Sequence, residues 1–340
     1  DAVEKAKVMN HKGHGGYYSC PYCKYEGENV QREATSLFPR RRGVRGEIIS
    51  GPSTTVSQQT DETGRAAGGG RGRANVGRVK YPKLLHEAPS VEWRDPKERV
   101  AIGEEIVRRT MSTGVMDKEG VQGVMGLGVI NGFARFSETD SHTPGILHIV
   151  CEGILKDIMN IVIGTVGEPY SLKKKRGTWD NVERLMDSRS KVSEANFNCK
   201  SPRCYKSWRA YDFYQLLIHD VALLFSDEQI ITDEGFQKMI FQLSEAVYLL
   251  CHGRMNDTIR GLARAKVQNF SETFKKTLGP EWCTYKFHVF QHLPDLADRH
   301  GPAFLWDDFN LERMNHLTKQ PVKSTRGQME QAAKHFILRH

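Results

Sequence analysis

The sequence predicts a mainly α-helical protein, and two observations support this fold class. Apolar residues recur at three- and four-residue intervals in five segments between residues 97 and 276, which is the spacing of an amphipathic helix. Asn-Gly turns that join alternating apolar and polar runs, which are typical of β-hairpins, are nearly absent. Helices should therefore supply most of the ordered chain.

The five predicted helices follow one another along the chain. They span residues 97–111, 145–163, 207–225, 233–252 and 255–276. Pro144 stands just ahead of the second helix, where proline suits a helix start because its missing N–H needs no partner there. The fifth helix ends before Gly279 and Pro280, residues that commonly stop a helix. Each segment can bury one apolar stripe against a neighbour.

The composition indicates an intracellular, soluble protein with a basic surface. The 340 residues are 39% hydrophobic, and no run of 18 apolar residues is present, so no transmembrane helix is expected. Seven cysteines spread thinly along the chain argue against a disulfide framework and for a reducing compartment. The formal net charge of +8 favours polyanionic partners. Because residue 1 is not methionine, we also expect the chain to be a fragment.

Changes in composition divide the chain into four regions. These are residues 1–50, 51–80, 81–280 and 281–340. The second region is rich in Gly, Ser, Thr and Arg and contains almost nothing to bury, so we expect a disordered linker or insertion there. Its Arg-Gly pairs could contact nucleic acid, but a solvated spacer is the simpler interpretation. The predicted helices fall in the third region.

Cysteine and histidine spacing points to a metal site. Cys20 and Cys23 form a Cys-x-x-Cys turn, whose two thiolates can occupy two corners of a zinc tetrahedron. His288 and His292 are four residues apart, so on a helix both imidazoles face the same side and could complete a Cys2His2 site. The alternative is a redox-active or merely buried cysteine pair and two surface histidines. Spacing alone leaves both interpretations open.

Two segments could contact nucleic acid. Trp208 and Arg209 could stack on a nucleobase and clamp it, although a core tryptophan beside a salt-bridged arginine would have the same sequence. Four consecutive basic residues could contact phosphates, or could simply form a solvated loop. They are Lys173, Lys174, Lys175 and Arg176.

Two single residues need the same weighing. Glu312 lies at the start of a predicted helix, where a carboxylate ordinarily interacts with the helix dipole or caps the first turn. His148 lies within an apolar helix, where a satisfied core histidine is commoner than a metal ligand. Neither residue identifies a function by itself.

Five blocks occur in a fixed order along the chain. They lie at residues 1–7, 15–23, 144–156, 206–210 and 288–312. In this order they resemble the Asp-x-Pro-Ala-Arg, Gly-Tyr-x-x-Cys-x-x-Cys, Asp-x-Met-His, Trp-Arg-Ala and His-x-x-x-His-Leu-Pro … Gly-Pro … Phe-Pro-Phe-Glu blocks of the En/Spm (CACTA) family of DNA transposases. The resemblance covers most of the chain apart from residues 51–80.

The resemblance implies an RNase H-like α/β nuclease core that is interrupted by a large helical insertion domain. In that family two Asp and one Glu hold two divalent ions, Mg²⁺ or Mn²⁺, and the insertion separates the second Asp from the Glu. By this match Asp1 takes the place of the second carboxylate and Glu312 that of the third. The expected fold is therefore a mainly α insertion domain attached to an incomplete RNase H-like core, to which residues 1–50 and 281–340 contribute.

The same resemblance implies a structural zinc ion that ties the two ends of the insertion together. Its ligands would be Cys20, Cys23, His288 and His292. The catalytic subunit of the V(D)J recombinase is related to this family and has similar spacing. In this sequence Asp1 lies 19 positions before Cys20. His292 lies 20 positions before Glu312.

For function, the resemblance implies cut-and-paste DNA transposition in the nucleus. Two metal ions would bridge the scissile phosphate, one activating water or a 3′-hydroxyl and the other stabilising the leaving oxygen. Transposon-end DNA is the implied partner, contacted through Trp208, Arg209 and the basic run at 173–176, with a homodimer as a further partner. No membrane partner is expected.

Several positions depart from the family pattern. The strand with the first catalytic Asp is expected to precede residue 1, and Gly145 stands where the Asp-x-Met-His block has its Asp. Val3 replaces the proline of the opening block. We therefore expect a partial or decayed copy that does not cleave DNA as this fragment. The alternative is a transposase-derived, zinc-stabilised module that binds DNA without catalysis.

Overall fold

The structure of the protein is a computed structural model, and its described part is mainly helical. It describes residues 20–28, 79–88, 92–115, 120–128, 131, 143–163, 180–184, 201–225, 231 and 233–307. Each of the five predicted helices is present in this part, with boundaries that differ by at most three residues. Among the described residues no helix is both long and apolar enough to cross a bilayer.

Seven helices, α1 to α7, organise the described chain. They are α1 (Pro96–Thr113), α2 (Leu147–Leu155, continuing as Lys156–Ile163), α3 (Ala210–Gln215, continuing as Leu216–Asp220 and Val221–Phe225), α4 (Glu234–Leu250), α5 (Asp257–Leu278), α6 (Tyr285–Phe290) and α7 (Leu293–His300). Short 3-10 turns add Leu85–Glu87, Pro202–Ser207, Pro280–Trp282 and Ala303–Leu305. Residues 180–184 are also helical.

Strand pairing in the described ranges is limited to isolated bridges. Cys23 pairs with Trp93, Glu28 with Lys80, and Val121 with Val124, all antiparallel. The first two bridges hold the cysteine segment against residues 79–95. An RNase H-like sheet is not seen in the part of the chain that the structure describes, so that core stays a prediction.

Side-chain caps explain where the longer helices begin. The carboxylate of Asp95 accepts a hydrogen bond from the Lys97 N–H at the start of α1, and Asp233 accepts one from the Phe236 N–H at the start of α4. Asn256 does the same for α5 through the Ile259 N–H. These short polar side chains satisfy N–H groups that the helix itself leaves unpaired. Helix α1 ends at Gly114, whose φ of 67° lies in the left-handed region that glycine adopts readily.

The core forms where helices distant in sequence pack together. Helices α4 and α5 pack side by side, and α2 packs against both α3 and α6. Helix α2 is mostly buried, because apolar residues cover most of its circumference, while a stripe that includes His148, Glu152, Lys156 and Asn160 is polar and partly exposed. Its fully buried side chains include Val150, Cys151, Leu155 and Ile158.

The first nine residues of α2 are wound as a π-helix, and this segment faces α6. Lys286 donates a hydrogen bond to the Glu152 carbonyl at 2.9 Å. A Cβ on Gly153 would lie 2.5 Å from the Lys286 side chain, so a larger residue here would have to displace that side chain. His148 pairs with Glu152 of the same helix at 3.1 Å and is 20% exposed. It is therefore a partly buried histidine at the edge of the core, not an enclosed core residue.

The predicted division into four regions is not tested by these ranges. Residues 1–19 and 51–78 lie outside the described residues, as do residues 308–340. Lys80, the last residue of the predicted linker, is buried and exchanges two backbone hydrogen bonds with Glu28, both 2.7 Å long.

Candidate metal centre

Four potential metal ligands from opposite ends of the chain meet in the core. The Cys20 Sγ lies 3.5 Å from the His292 Nε2, and the Cys23 Sγ lies 3.3 Å from the His288 Nε2. The two Nε2 atoms are 3.3 Å apart. All four ligand atoms lie within 4.8 Å of one another, although 265 residues separate Cys23 from His288. This grouping is the one expected from the spacing together with the family resemblance.

These distances match those of a zinc tetrahedron. With Zn–S bonds of about 2.3 Å and Zn–N bonds of about 2.05 Å, tetrahedral angles place sulfur and nitrogen about 3.6 Å apart and two nitrogens about 3.3 Å apart. The observed separations of 3.5, 3.3 and 3.3 Å agree within a few tenths of an ångström. These three pairs of ligand atoms therefore have the spacing that a tetrahedral Zn²⁺ site requires.

Local hydrogen bonds shape the cysteine turn. The Tyr22 N–H points at the Cys20 Sγ at 3.4 Å, which folds the chain so that both thiols face the same side. The Arg94 N–H donates to the Tyr22 carbonyl at 2.9 Å, and the Lys24 N–H donates to the Glu92 carbonyl at 3.0 Å. Residues 92–94 thus form a second strand behind the turn and keep it in place.

The two histidines lie on one side of an interrupted helix. Helix α6 ends at Phe290 and α7 begins at Leu293, because Pro294 has no N–H to offer the Phe290 carbonyl and would clash with it in a regular helix. His292, between the two helices, keeps helical angles with φ of −83° and ψ of −13°. The four-residue spacing therefore still places both imidazoles on the same face.

Aromatic rings enclose the ligands. All four ligand residues are between 0% and 2% exposed. Tyr25 and Tyr81 stack on the His288 ring at 5.2 and 4.9 Å, and Tyr22 and Trp93 contact the His292 ring at 5.6 and 5.1 Å.

Ring packing replaces the usual hydrogen bonds to the histidines. Metal-bound histidines generally donate their second ring N–H to an oxygen. Within the described ranges, the Nδ1 atoms of His288 and His292 have no hydrogen-bond partner. The orientation of both rings is therefore set by their aromatic neighbours.

The pKa shifts show an electrostatic cost that a cation would remove. Burial alone would raise the pKa of the Cys20 thiol, but the Cys23 thiol and the His292 and His288 rings outweigh it, so this pKa lies well below the usual value. Burial and the neighbouring Cys20 together raise the pKa of Cys23 well above the usual value. Two buried thiols this close cannot both ionise unaided, whereas a bound dication stabilises both thiolates.

Burial also lowers the pKa of the His288 imidazole. A neutral imidazole is the form that binds a metal ion. Burial at His288, and the neighbouring Cys23, His292 and His288 groups at Cys20, therefore favour the protonation states that zinc ligation requires.

Of the predicted DNA-contact residues, the structure describes Trp208 and Arg209. The Trp208 side chain is 7% exposed and packs edge-on against the Phe213 ring at 5.2 Å. Arg209 is exposed, and its backbone N–H donates to the Asp212 carboxylate at 2.7 Å at the start of α3. In this arrangement the Trp208 ring offers little free surface for a base, so contact of this pair with DNA stays a prediction.

The remaining predicted site residues lie outside the described residues. Asp1 and Glu312 are in this group, and so is the basic run at Lys173, Lys174, Lys175 and Arg176. Their roles in catalysis and phosphate contact stay predictions. The distance between Asp1 and Glu312 is likewise not described.

Sequence reasoning missed the neighbours that shape the metal centre. Tyr81, Trp93 and Arg94 come from segments that no ligand motif includes. Their sequence signal is weak, because Tyr81 and Trp93 are single aromatic residues with no distinctive spacing from the ligands. Tyr22 and Tyr25 lie in the cysteine segment itself and could have been noted as its apolar cover.

Comparison of the chain with family models, with curated proteins and with solved structures found no match.

Proposed function

We propose that Cys20, Cys23, His288 and His292 bind a structural zinc ion. The observation that carries this proposal is the tetrahedral spacing of four buried ligand atoms. Four protein ligands leave no open coordination position for water or substrate, which distinguishes structural zinc from catalytic zinc. The ion would join a segment near residue 20 to helices near residue 290, and so would close the intervening helical chain into one unit.

We further propose that this unit is the helical insertion of a protein like the En/Spm transposases. What supports this proposal is that the paired cysteine and histidine blocks are the two blocks expected at the ends of such an insertion. On this proposal the protein is nuclear, binds transposon-end DNA and forms a homodimer. Asp1 and Glu312 would hold Mg²⁺ or Mn²⁺, whose chemistry is two-metal cleavage and strand transfer.

A second candidate is a DNA-binding module of the same origin that has no catalytic activity. Gly145 favours it, because this residue stands where the family pattern has a carboxylate and it is buried just ahead of α2. Glycine has no side-chain carboxylate that could bind a metal ion or transfer a proton. The zinc centre would then serve only to stabilise a surface that binds DNA.

Metal content tests the first proposal directly. The purified chain is expected to contain one zinc ion per molecule, and Co²⁺ substitution should give the intense thiolate-to-cobalt absorption of a tetrahedral site. Cys20→Ser should abolish both signals. Cys204→Ser is the matched control, because Cys204 is an exposed free thiol, and it should retain both. A wild-type chain without bound metal in zinc-supplemented medium would overturn the proposal.

DNA binding and cleavage separate the two candidate functions. Fluorescence anisotropy with labelled duplex DNA should show binding that weakens with salt, and Arg209→Ala should reduce the salt dependence by about one phosphate contact. Lys276→Ala, an exposed change on α5, is the control. Cleavage in Mg²⁺ or Mn²⁺ that Glu312→Ala abolishes supports the transposase, whereas binding without cleavage supports the module. Absence of binding at low salt contradicts both.

A further inference from the structure

Arg94 links the cysteine turn to a second turn. Its side chain is buried, with 5% of the residue exposed. The Nε donates to the Cys20 carbonyl at 2.8 Å, and the Nη2 donates to the Gln122 carbonyl at 2.8 Å. One planar guanidinium therefore holds two carbonyl groups that are 102 residues apart in sequence, which the fixed fork geometry of arginine allows and lysine cannot reproduce.

The second turn is conformationally strained. Val121 and Val124 exchange two backbone hydrogen bonds, each 2.9 Å long, around a two-residue turn. Its central residues have positive φ, 49° at Gln122 and 83° at Gly123, as a type I′ turn requires. A non-glycine residue adopts this region at a conformational cost and persists there only where neighbouring groups hold it. The bond from Arg94 to the Gln122 carbonyl is such a restraint.

Arg94 also places a positive charge beside the metal ligands. Burial lowers the pKa of its guanidinium, while the Cys20 and Cys23 thiolates act in the opposite direction. The thiolates are thus the main opposite charges near the guanidinium. A buried cation that is hydrogen-bonded to the backbone of a ligand residue is well placed to influence that ligand.

We infer that Arg94 is a positioning residue for the metal centre, which holds the Cys20 turn in ligand geometry and couples it to the strained turn at 121–124. This inference rests on the zinc site proposed above. Loss of Arg94 should weaken metal binding, because outer-shell partners of metal ligands commonly contribute about 10–100-fold to affinity. The coupling is reciprocal, so metal removal should loosen the turn at Gln122.

Co²⁺ titration in competition with a chromophoric chelator tests the inference in the full chain. Arg94→Gln should bind Co²⁺ about 10–100-fold more weakly than wild type and should change the cobalt d–d absorption bands. Arg94→Lys keeps the charge but reaches only one carbonyl, so it should recover part of the affinity. Arg108→Gln is the control, because Arg108 is an exposed arginine of α1 that pairs with Glu105 on the same helix; it should leave the bands unchanged.

Amide hydrogen exchange supplies the second measurement. Chelation of the metal should raise exchange at residues 121–124 in wild type, and Arg94→Gln should raise it even with metal present. Equal Co²⁺ affinity and equal spectra for the Arg94→Gln and Arg108→Gln chains would overturn the inference while leaving the zinc site intact. If Arg94→Gln does not fold, the Arg94→Lys affinity decides, and wild-type affinity there overturns the inference. A wild-type chain that binds no Co²⁺ overturns the zinc site and the inference together.

Discussion

The α4–α5 hairpin and the metal-centred region are held together by different physical means. The hairpin spans residues 234–278 in one continuous stretch. The metal-centred region combines residues 20–28 and 79–95 with α6 and α7. Contacts in the hairpin link residues that are near in sequence, whereas those in the metal-centred region link residues up to 272 apart. We therefore expect the two regions to differ in how far their folding depends on a bound ion.

The hairpin has what an independently stable helical pair needs. Two long helices, of 17 and 22 residues, are joined by the short segment 251–256. Both have side-chain N-caps at Asp233 and Asn256. Fully buried apolar residues such as Ile240 and Leu243 line their contact, so the stability comes from apolar burial and local hydrogen bonds.

The metal-centred region has little regular structure before α6. Its extended segments pair at the bridges Cys23–Trp93 and Glu28–Lys80 and at a few side-chain contacts, such as Arg94 to the Cys20 carbonyl. Four ligands and their aromatic neighbours form most of its interior. Because few backbone ladders restrain these segments, we expect a bound ion to contribute a large part of their stability.

The two regions meet at a cluster of phenylalanine rings. Phe270 of α5 contacts Phe290 of α6 at 5.3 Å, and Phe274 stacks on Phe287 at 4.7 Å. Phe287 and Phe290 flank His288 in sequence. The hairpin therefore supports the histidine side of the metal centre, while we expect the cysteine side to depend on the proposed ion.

Metal removal should have the largest effect on stability, and it should affect the metal-centred region much more than the α4–α5 hairpin. Zinc ligation in small zinc-dependent folds corresponds to about 10–16 kcal/mol of apparent binding free energy. Cys20→Ser should therefore lower the melting temperature more than any single apolar core substitution does. Hydrogen exchange should rise strongly in 20–28 and 79–88 but little in α4 and α5.

The exposed Cys204→Ser is the control for this change, and its melting temperature should equal that of wild type. A uniform loss of exchange protection in both regions would show that the hairpin does not fold independently of the metal. That result would remove the distinction between the two regions.

A cavity in the hairpin should produce the next largest effect and the opposite pattern. Leu243 is fully buried in α4, and truncation of a buried leucine to alanine typically costs about 2–5 kcal/mol. Leu243→Ala should lower the unfolding free energy in urea by this amount while one zinc ion per chain is retained. Leu262→Ala removes the same atoms from a leucine that is 47% exposed and should cost much less. Loss of zinc from Leu243→Ala would contradict the separation.

Acid should act mainly on the metal-centred region. Burial lowers the pKa of His288 in the folded state, so the unfolded chain binds its proton first. The stability from this group is present above the unfolded histidine pKa of about 6.5 and is lost, at about 1.4 kcal/mol per pH unit, as the pH falls through the folded pKa. Protons also compete with the metal for the ligands.

Co²⁺ affinity measured between pH 8 and pH 5 should therefore fall as the pH falls. The helical signal of α4 and α5 should persist over the same range. His252→Gln, a change in the loop between those helices, should leave the profile unchanged. Metal affinity that does not vary with pH would rule out histidine ligands.

Surface charge should have the smallest effect. Arg264 of α5 pairs with Asp295 and, at 2.6 Å, with Asp298 of α7, and so ties the hairpin to the histidine side. Partly exposed pairs contribute about 0.2–1 kcal/mol and weaken in salt. Arg264→Ala should lower stability by this amount at low salt and by less in 0.5 M NaCl. Lys266→Ala, which removes the pair with Glu245 within the hairpin, is the matched comparison; a larger effect from it would contradict the bridging role of Arg264.

Much of the helical part was predictable because helix formation is local. Periodic apolar residues and caps such as Asp95 and Asn256 lie within a few positions of the helices they start. The largest boundary difference is at α3, predicted from residue 207 and observed from Ala210. Residues 202–207 form a 3-10 turn after Pro202, and Arg209 is extended as the cap of α3, which the apolar spacing does not reveal.

The sequence by itself determined the helices and the set of four ligands, because periodicity, capping residues and the Cys-x-x-Cys and His-x-x-x-His spacings are short-range patterns. Only the tertiary structure decided what surrounds the ligands. Tyr81, Trp93 and Arg94 reach the centre from segments about 60–75 residues away from Cys20, and the strained turn at Gln122 meets Arg94 through one guanidinium. Such contacts depend on how the whole chain packs, since loop closure over these distances leaves no periodic trace in the sequence.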